Sequence, residues 1–149
     1  MERAFPPSVL KKITEAAARS EESHRGEIRV SIEPRRKARA LLRGQSTRER
    51  ALEVFSLLRV WDTEENNGVL LYISPREQRI EIIADRGVNR LVAPDFWEAL
   101  CVRIGEFFRE ERFLDGVLRG IQEIETLLVE WYPRAGEDAN ELPDEPAIL

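Results

Sequence analysis

Apolar positions along this chain follow two periods. Val69-Leu70-Leu71-Tyr72-Ile73 is an unbroken apolar run bounded by Asn67-Gly68 and Ser74-Pro75, the pattern of a central strand covered on both faces. Arg79 to Ala84 sets Ile80 and Ile82 against Arg79 and Glu81, which predicts a strand buried on one side and paired with its predecessor as an antiparallel hairpin. Glu27 to Glu33 alternates in the same way, Ile28, Val30 and Ile32 against Arg29 and Ser31, and Pro34 stops it. It too reads as a strand with one buried face.

Helical spacing fills the intervals. Ser8 is the expected cap of a first helix carrying Val9, Leu10, Ile13, Ala16 and Ala17 and ending near Ser23. Ser46 and Glu49 have capping-box spacing, and Ala51, Val54, Phe55 and Leu58 then mark an apolar helical face. Asp95, with Glu98 in the reciprocal position, opens a helix whose stripe is Phe96, Leu100, Ile104, Phe107 and Phe108. A last helix begins or bends near Asp115-Gly116, carries Leu114, Val117, Leu118, Ile121, Ile124, Leu128 and Trp131, and ends before Pro133. Residues 35–44 are loop or an extra arginine-rich turn of helix.

A strand-helix-strand succession of this length makes the first two strands parallel, with a right-handed crossover. The expected fold is a three-layer α/β sandwich, Rossmann-like, with a small mixed sheet and helices on both faces. Parallel strands start at one end, so Glu27 shares an edge with Asp62, Glu64 and Asp85, while Arg35, Arg36, Arg76 and Arg79 lie at the other.

A length of 149 residues fits one domain with a real core. A single cysteine excludes an internal disulfide, and one cysteine with one histidine is too few soft ligands for structural zinc. No signal peptide or membrane-spanning run is visible, which makes a soluble cytoplasmic monomer the simplest expectation. The net charge of −5 argues against nucleic acid as a partner. The arginine-rich segment 35–50 and the acid-rich C-terminus are expected as solvated surface and a mobile tail, with tail docking on the basic segment as an alternative.

No nucleotide-binding glycine loop, zinc-protease helix, nucleophile elbow or Cys/His pair is present. His24 reads as an exposed surface histidine and Cys101 as a packed small hydrophobe. The acidic edge offers hard oxygen ligands of the kind Ca²⁺ or Mg²⁺ takes: Asp62, Glu64, Asn67 and Asp85, with Glu27 and Asp95 outside them. Each also has a structural reading, because Asp62 and Asn67 suit turns, Asp85 a loop before Gly87 and Asp95 a helix cap.

Gly26-Glu27-Ile28-Arg29-Val30, Thr63 with Asn67-Gly68-Val69-Leu70-Leu71-Tyr72-Ile73, Asp85-Arg86-Gly87, Asp95-Phe96-Trp97 and Gly116-Val117 with Gly120-Ile121 together resemble the TPM domain family. The likeness is greatest to its small soluble bacterial branch, whose tail also looks like Asn140 to Asp144. The resemblance implies one TPM domain over residues 1–133 with an acidic tail at 134–149. Described members include a thylakoid-lumen acid phosphatase, a photosystem II repair factor and a modulator of an acetylcholine receptor, and some bacterial relatives are described as binding calcium. Where better-known members have Gly-x-Gly after the third strand, this chain has Asp85-Arg86-Gly87, and it shows none of their export or membrane anchors. The reading that results is a module binding a divalent cation, Ca²⁺ ahead of Mg²⁺, and engaging an unidentified protein partner. The alternatives are a metal-assisted acid phosphatase using Asp85 and Arg86, and a cation-independent interaction domain.

Overall fold

The computed structural model describes residues 4–134 and 141–149. Its elements run α1 (Pro7–Ser20), β1 (Glu27–Ile32), α2 (Ala38–Leu42), α3 (Thr47–Leu57), β2 (Gly68–Ser74), β3 (Arg79–Ala84), α4 (Arg86–Asn89), α5 (Phe96–Arg109), α6 (Phe113–Trp131) and β4 (Ala147–Ile148). The strands form one mixed sheet of order β3-β2-β1-β4. β1 is parallel to β2 with Ile28 opposite Val69, and β2 and β3 form the antiparallel hairpin. The three-layer α/β expectation therefore holds.

Side-chain alternation divides the core between the two faces. Ile28, Val30, Ile32, Val69, Leu71, Ile73, Ile80 and Ile82 point to one side, where α1, α5 and α6 bury Ile13, Leu100, Ile104, Phe108, Val117, Ile121, Ile124 and Leu128. Leu70, Tyr72 and Ile83 point to the other, against Ala51 and Val54 of α3 and Leu142 of the C-terminal segment.

Several local expectations change. Pro6 is the N-cap of α1 and Pro7 its first residue, because a proline there gives up an N–H that has no helical partner anyway; Ser8 lies inside. The Ser46–Glu49 capping box of α3 is formed in both directions. Asp95 precedes α5 but makes no side-chain cap, its backbone already being turned to φ −96, ψ 3. Asp85-Arg86-Gly87 is the start of the short helix α4, with the Asp85 carboxylate accepting from the Arg86 N–H. Trp131, expected in the buried stripe of α6, is exposed at the helix end.

The largest departure concerns β1, whose six residues are all buried. Its polar face is covered because the acidic segment after residue 140, expected to be mobile, returns across the sheet. Leu142 is buried, β4 pairs in parallel with Ser31 and Ile32, and the Leu149 N–H donates to the Ile32 carbonyl at 2.9 Å. The described part of the segment docks on β1. Glu137, Asp138 and Asn140 lie outside the described residues.

Gly68 opens β2 because nothing larger fits: a Cβ there would come within 2.3 Å of the Val60 carbonyl oxygen. Gly105, within α5, has open space where its Cβ would be. Gly68→Ala should thus lower unfolding stability by on the order of 3 kcal/mol or more, while Gly105→Ala raises it by about 1 kcal/mol. Denaturant melts of the two variants beside the wild type check both signs.

Candidate functional site

The starts of β1 and β2 and the exit from β3 meet at one end of the sheet. The Glu27 N–H donates to the Asn67 carbonyl at 3.2 Å, and the Asp85 N–H donates to the Gly68 carbonyl at 2.9 Å. A parallel pair with a hairpin allows no other arrangement, so Glu27, Asn67 and Asp85 are neighbours by topology.

Helix ends complete the surroundings. α6 delivers Tyr132, whose hydroxyl donates to the Gly87 carbonyl at 2.6 Å, and the Arg25 N–H donates to the Tyr132 carbonyl. The Arg25 guanidinium binds Glu65 at 2.8 Å and packs over the Tyr132 ring. His24 is 1% exposed, contrary to the surface histidine expected from its turn position. An antiparallel bridge to Pro133 covers it. The Gly26 N–H donates to its Nδ1 at 3.1 Å, which leaves Nε2–H to donate to Ser20 Oγ at 2.8 Å. These contacts fix the ring in the wall of this end.

Carboxyl groups dominate the centre of this end. Glu21, at the C-cap of α1, and Glu27 are both buried. Glu27 Oε1 accepts from the Glu141 N–H of the C-terminal segment. Burial, then hydrogen bonding to Glu27 and the charges of Glu27 and Asp144, pushes Glu21 up to about 10. Burial pushes Glu27 up to about 7, against the pull of its contacts with Glu21 and the Glu141 N–H. Glu21 Oε1, Glu27 Oε2, Asn67 Oδ1 and Asp85 Oδ2 are buried without a hydrogen-bond partner among the described residues. These oxygens are what the end has to offer a proton or a hard cation.

The ligands expected from sequence are distributed unequally over this end. Asn67 and Asp85 flank Gly68. Asn67 is buried, with its amide donating to the Arg25 carbonyl. Asp62 is exposed and paired with Arg59 at 2.9 Å. Glu64 is exposed, its N–H donating to Glu141. Asp95 only precedes α5. Among the described residues no three His, Cys, Asp or Glu side chains stand close enough to hold an ion. Cys101 is partly buried, and burial raises its thiol to about 12, in keeping with a packing role.

The buried charges at the opposite end of the sheet are paired. Arg50 binds Glu33 at 2.8 Å, Tyr72 donates to Glu33 at 2.6 Å, and Arg36 binds Glu77 at 3.1 Å. Burial alone would raise Glu33, but the bonds from Arg50 and Tyr72 outweigh it and hold the carboxyl below its ordinary range. Sequence reasoning passed over Glu21, Glu33, Arg50 and Tyr132. Glu21 could have been noticed as a carboxylate that a short turn brings back beside the start of the first strand.

A family model described as TPM domain matches residues 2–127. The fold is similar to the BA42 protein of the psychrophilic bacterium Bizionia argentinensis, solved by NMR, with 29% identity and a TM-score of 0.82 over 95% of this chain and 93% of that one. It is also similar to the N-terminal domain of a P. gingivalis protein, with 16% identity and a TM-score of 0.67 over 88% and 83% of the two chains; at that identity the likeness shows the fold alone. No curated protein matches the chain. Among the described residues no helix is long and apolar enough to cross a membrane.

Because Glu21 and Glu27 keep protons that the unfolded chain loses near the ordinary value of 4.5, stability should fall as pH rises. Glu27 contributes up to about pH 7 and Glu21 up to about pH 10. Glu21→Gln keeps a neutral donor in place, so its melting temperature should match the wild type near pH 5 and exceed it increasingly towards pH 9. The slope removed should approach at most the ~1.4 kcal/mol per pH unit of one proton. Parallel curves for the two proteins would show that Glu21 is not protonated in the fold.

Proposed function

Since the chain belongs to the TPM domain family, we propose that it is a module that takes up a hard divalent cation, Ca²⁺ ahead of Mg²⁺, at the carboxylate end of its sheet. One observation carries this reading: Glu27, a residue 2% exposed, offers Oε2 to no N–H or hydroxyl among the described residues and meets only the carboxyl of Glu21 when that group keeps its proton, in a cluster where burial and like charge favour protonation. A cation would do the work of the proton, allowing the carboxyls to ionise without repelling one another.

The donor set is carboxylate and amide oxygen, which fits Ca²⁺ and its tolerance of irregular oxygen shells. Glu27 and Glu21 would hold the ion, with the Asn67 amide oxygen beside them and Asp85 at the rim. With fewer than three acidic ligands converging as the side chains stand, uptake requires local rearrangement and release of bound protons, so affinity is weak and rises with pH. The Glu141 N–H rests on Glu27. Ion uptake therefore tightens or loosens the C-terminal segment, the surface through which a protein partner would sense the cation.

Titration of chelator-stripped protein with Ca²⁺ by calorimetry, in buffers of different protonation enthalpy, tests the proposal. Saturable binding with proton release is expected for the wild type, and ~100 times the dissociation constant of Ca²⁺ should add about 2.7 kcal/mol of stability. Glu27→Gln should abolish it. No binding, or binding that survives Glu27→Gln and is lost only in Asp85→Asn, would overturn this placement. Turnover of a generic phosphate ester that disappears in Asp85→Asn would replace it with the metal-assisted phosphomonoesterase.

A further inference from the structure

The other end of the sheet carries a feature unrelated to the carboxylates. Two segments share a pattern, Ile32-Glu33-Pro34-Arg35 and Ile73-Ser74-Pro75-Arg76. The register pairs Ile32 with Ile73, and the Glu33 N–H still donates to the Ile73 carbonyl at 2.9 Å. Arg35 and Arg76 therefore occupy equivalent positions just beyond two parallel strands, which lie about 4.8 Å apart in a sheet. Each follows a proline of fixed φ, so the chain leaves each strand on a restricted path.

Both arginines line a cleft of about 990 Å³. It lies where the exit of β1, the β2–β3 hairpin with Gln78, and the α5–α6 turn leading into Phe113 and Leu114 of α6 converge. Val9 and the two prolines also line it. Among the described residues its carboxylates are Glu111 and Asp115, and Asp115 is bound to Arg112 at 3.0 Å. Among the described residues Arg35 and Arg76 form no ion pair and no side-chain hydrogen bond, in contrast to Arg36, next to Arg35 in the chain, which is buried and bound to Glu77 and to the Gln45 and Ser46 carbonyls. Two like charges at adjacent strand ends, neither in an ion pair among the described residues and both beside an apolar wall, make a receptor for a dianion that also carries an apolar group.

We propose that this cleft binds a small organic phosphate, with Arg35 and Arg76 gripping the phosphate dianion and Phe113, Leu114 and Val9 covering its organic part. Guanidinium forks suit the tetrahedral oxygens better than point charges do. The site lies a full strand length from Glu27, about 20 Å for six residues, and needs no cation, so it stands or falls independently of the Ca²⁺ reading.

NMR titration in the presence of chelator, with phenyl phosphate and with inorganic phosphate as probes, tests it. Saturable shifts at the amides of Arg35, Arg76, Gln78 and Phe113 are expected, with phenyl phosphate binding about tenfold tighter. Arg35→Gln or Arg76→Gln should each weaken binding by about tenfold, and Arg35→Lys should recover only part of the loss. Arg39→Gln, on the exposed α2, should change nothing. All these side chains are exposed, so the variants fold. Absence of saturable shifts, equal affinity for the two phosphates, or affinity unchanged in the Arg35→Gln/Arg76→Gln double variant would overturn the proposal.

Discussion

The second face of this sheet depends on burying the polar side of β1. Glu27, Arg29, Ser31 and Glu33 are each no more than 9% exposed, and buried charges persist only where partners reach them. Arg50 and Tyr72 meet Glu33, and the Leu71 carbonyl meets Ser31 at 3.3 Å. Backbone carbonyls of Pro143 and Glu145 meet Arg29, and the Glu141 N–H meets Glu27. The C-terminal segment is thus a structural layer, supplying backbone groups to the part of the strand face beyond the reach of Arg50 from α3.

At the Glu33 end the buried carboxyl meets an arginine, while at the Glu27 end it meets another carboxyl. There the fold sets Glu21 and Glu27 together beneath a segment that contributes further acids and the Glu141 N–H to Glu27. The imbalance is a local cost of the kind that folds retain where a ligand or a protonation step offsets it. Through the Glu141 N–H, one of these two carboxyls is in direct contact with the C-terminal segment.

The hairpin, the parallel pair and the acidic and basic ends were legible because period-two alternation and crossover length leave few topologies. Glu27, Asn67 and Asp85 could be placed together for that reason. Asp62 and Glu64 could not be positioned from sequence, because they belong to a loop whose turns at Arg59 and Asn66, both with positive φ, have no periodic signature. Strand β4 was missed because two residues after a proline carry no pattern. The burial of His24 was missed because the chain end that covers it, Tyr132-Pro133, lies more than a hundred residues away. Alternation showed that β1 has a polar face, but not that a remote segment covers it.

The most direct measurement is hydrogen exchange at the Glu141 and Leu149 amides, corrected for intrinsic rate, below and above the Glu27 titration with and without Ca²⁺. If the carboxyls govern the C-terminal segment, both amides are protected at pH 6, lose protection at pH 9, and change again when Ca²⁺ is added at pH 9. Protection that is the same at both pH values and indifferent to Ca²⁺ would contradict any link between Glu21, Glu27 and the chain end.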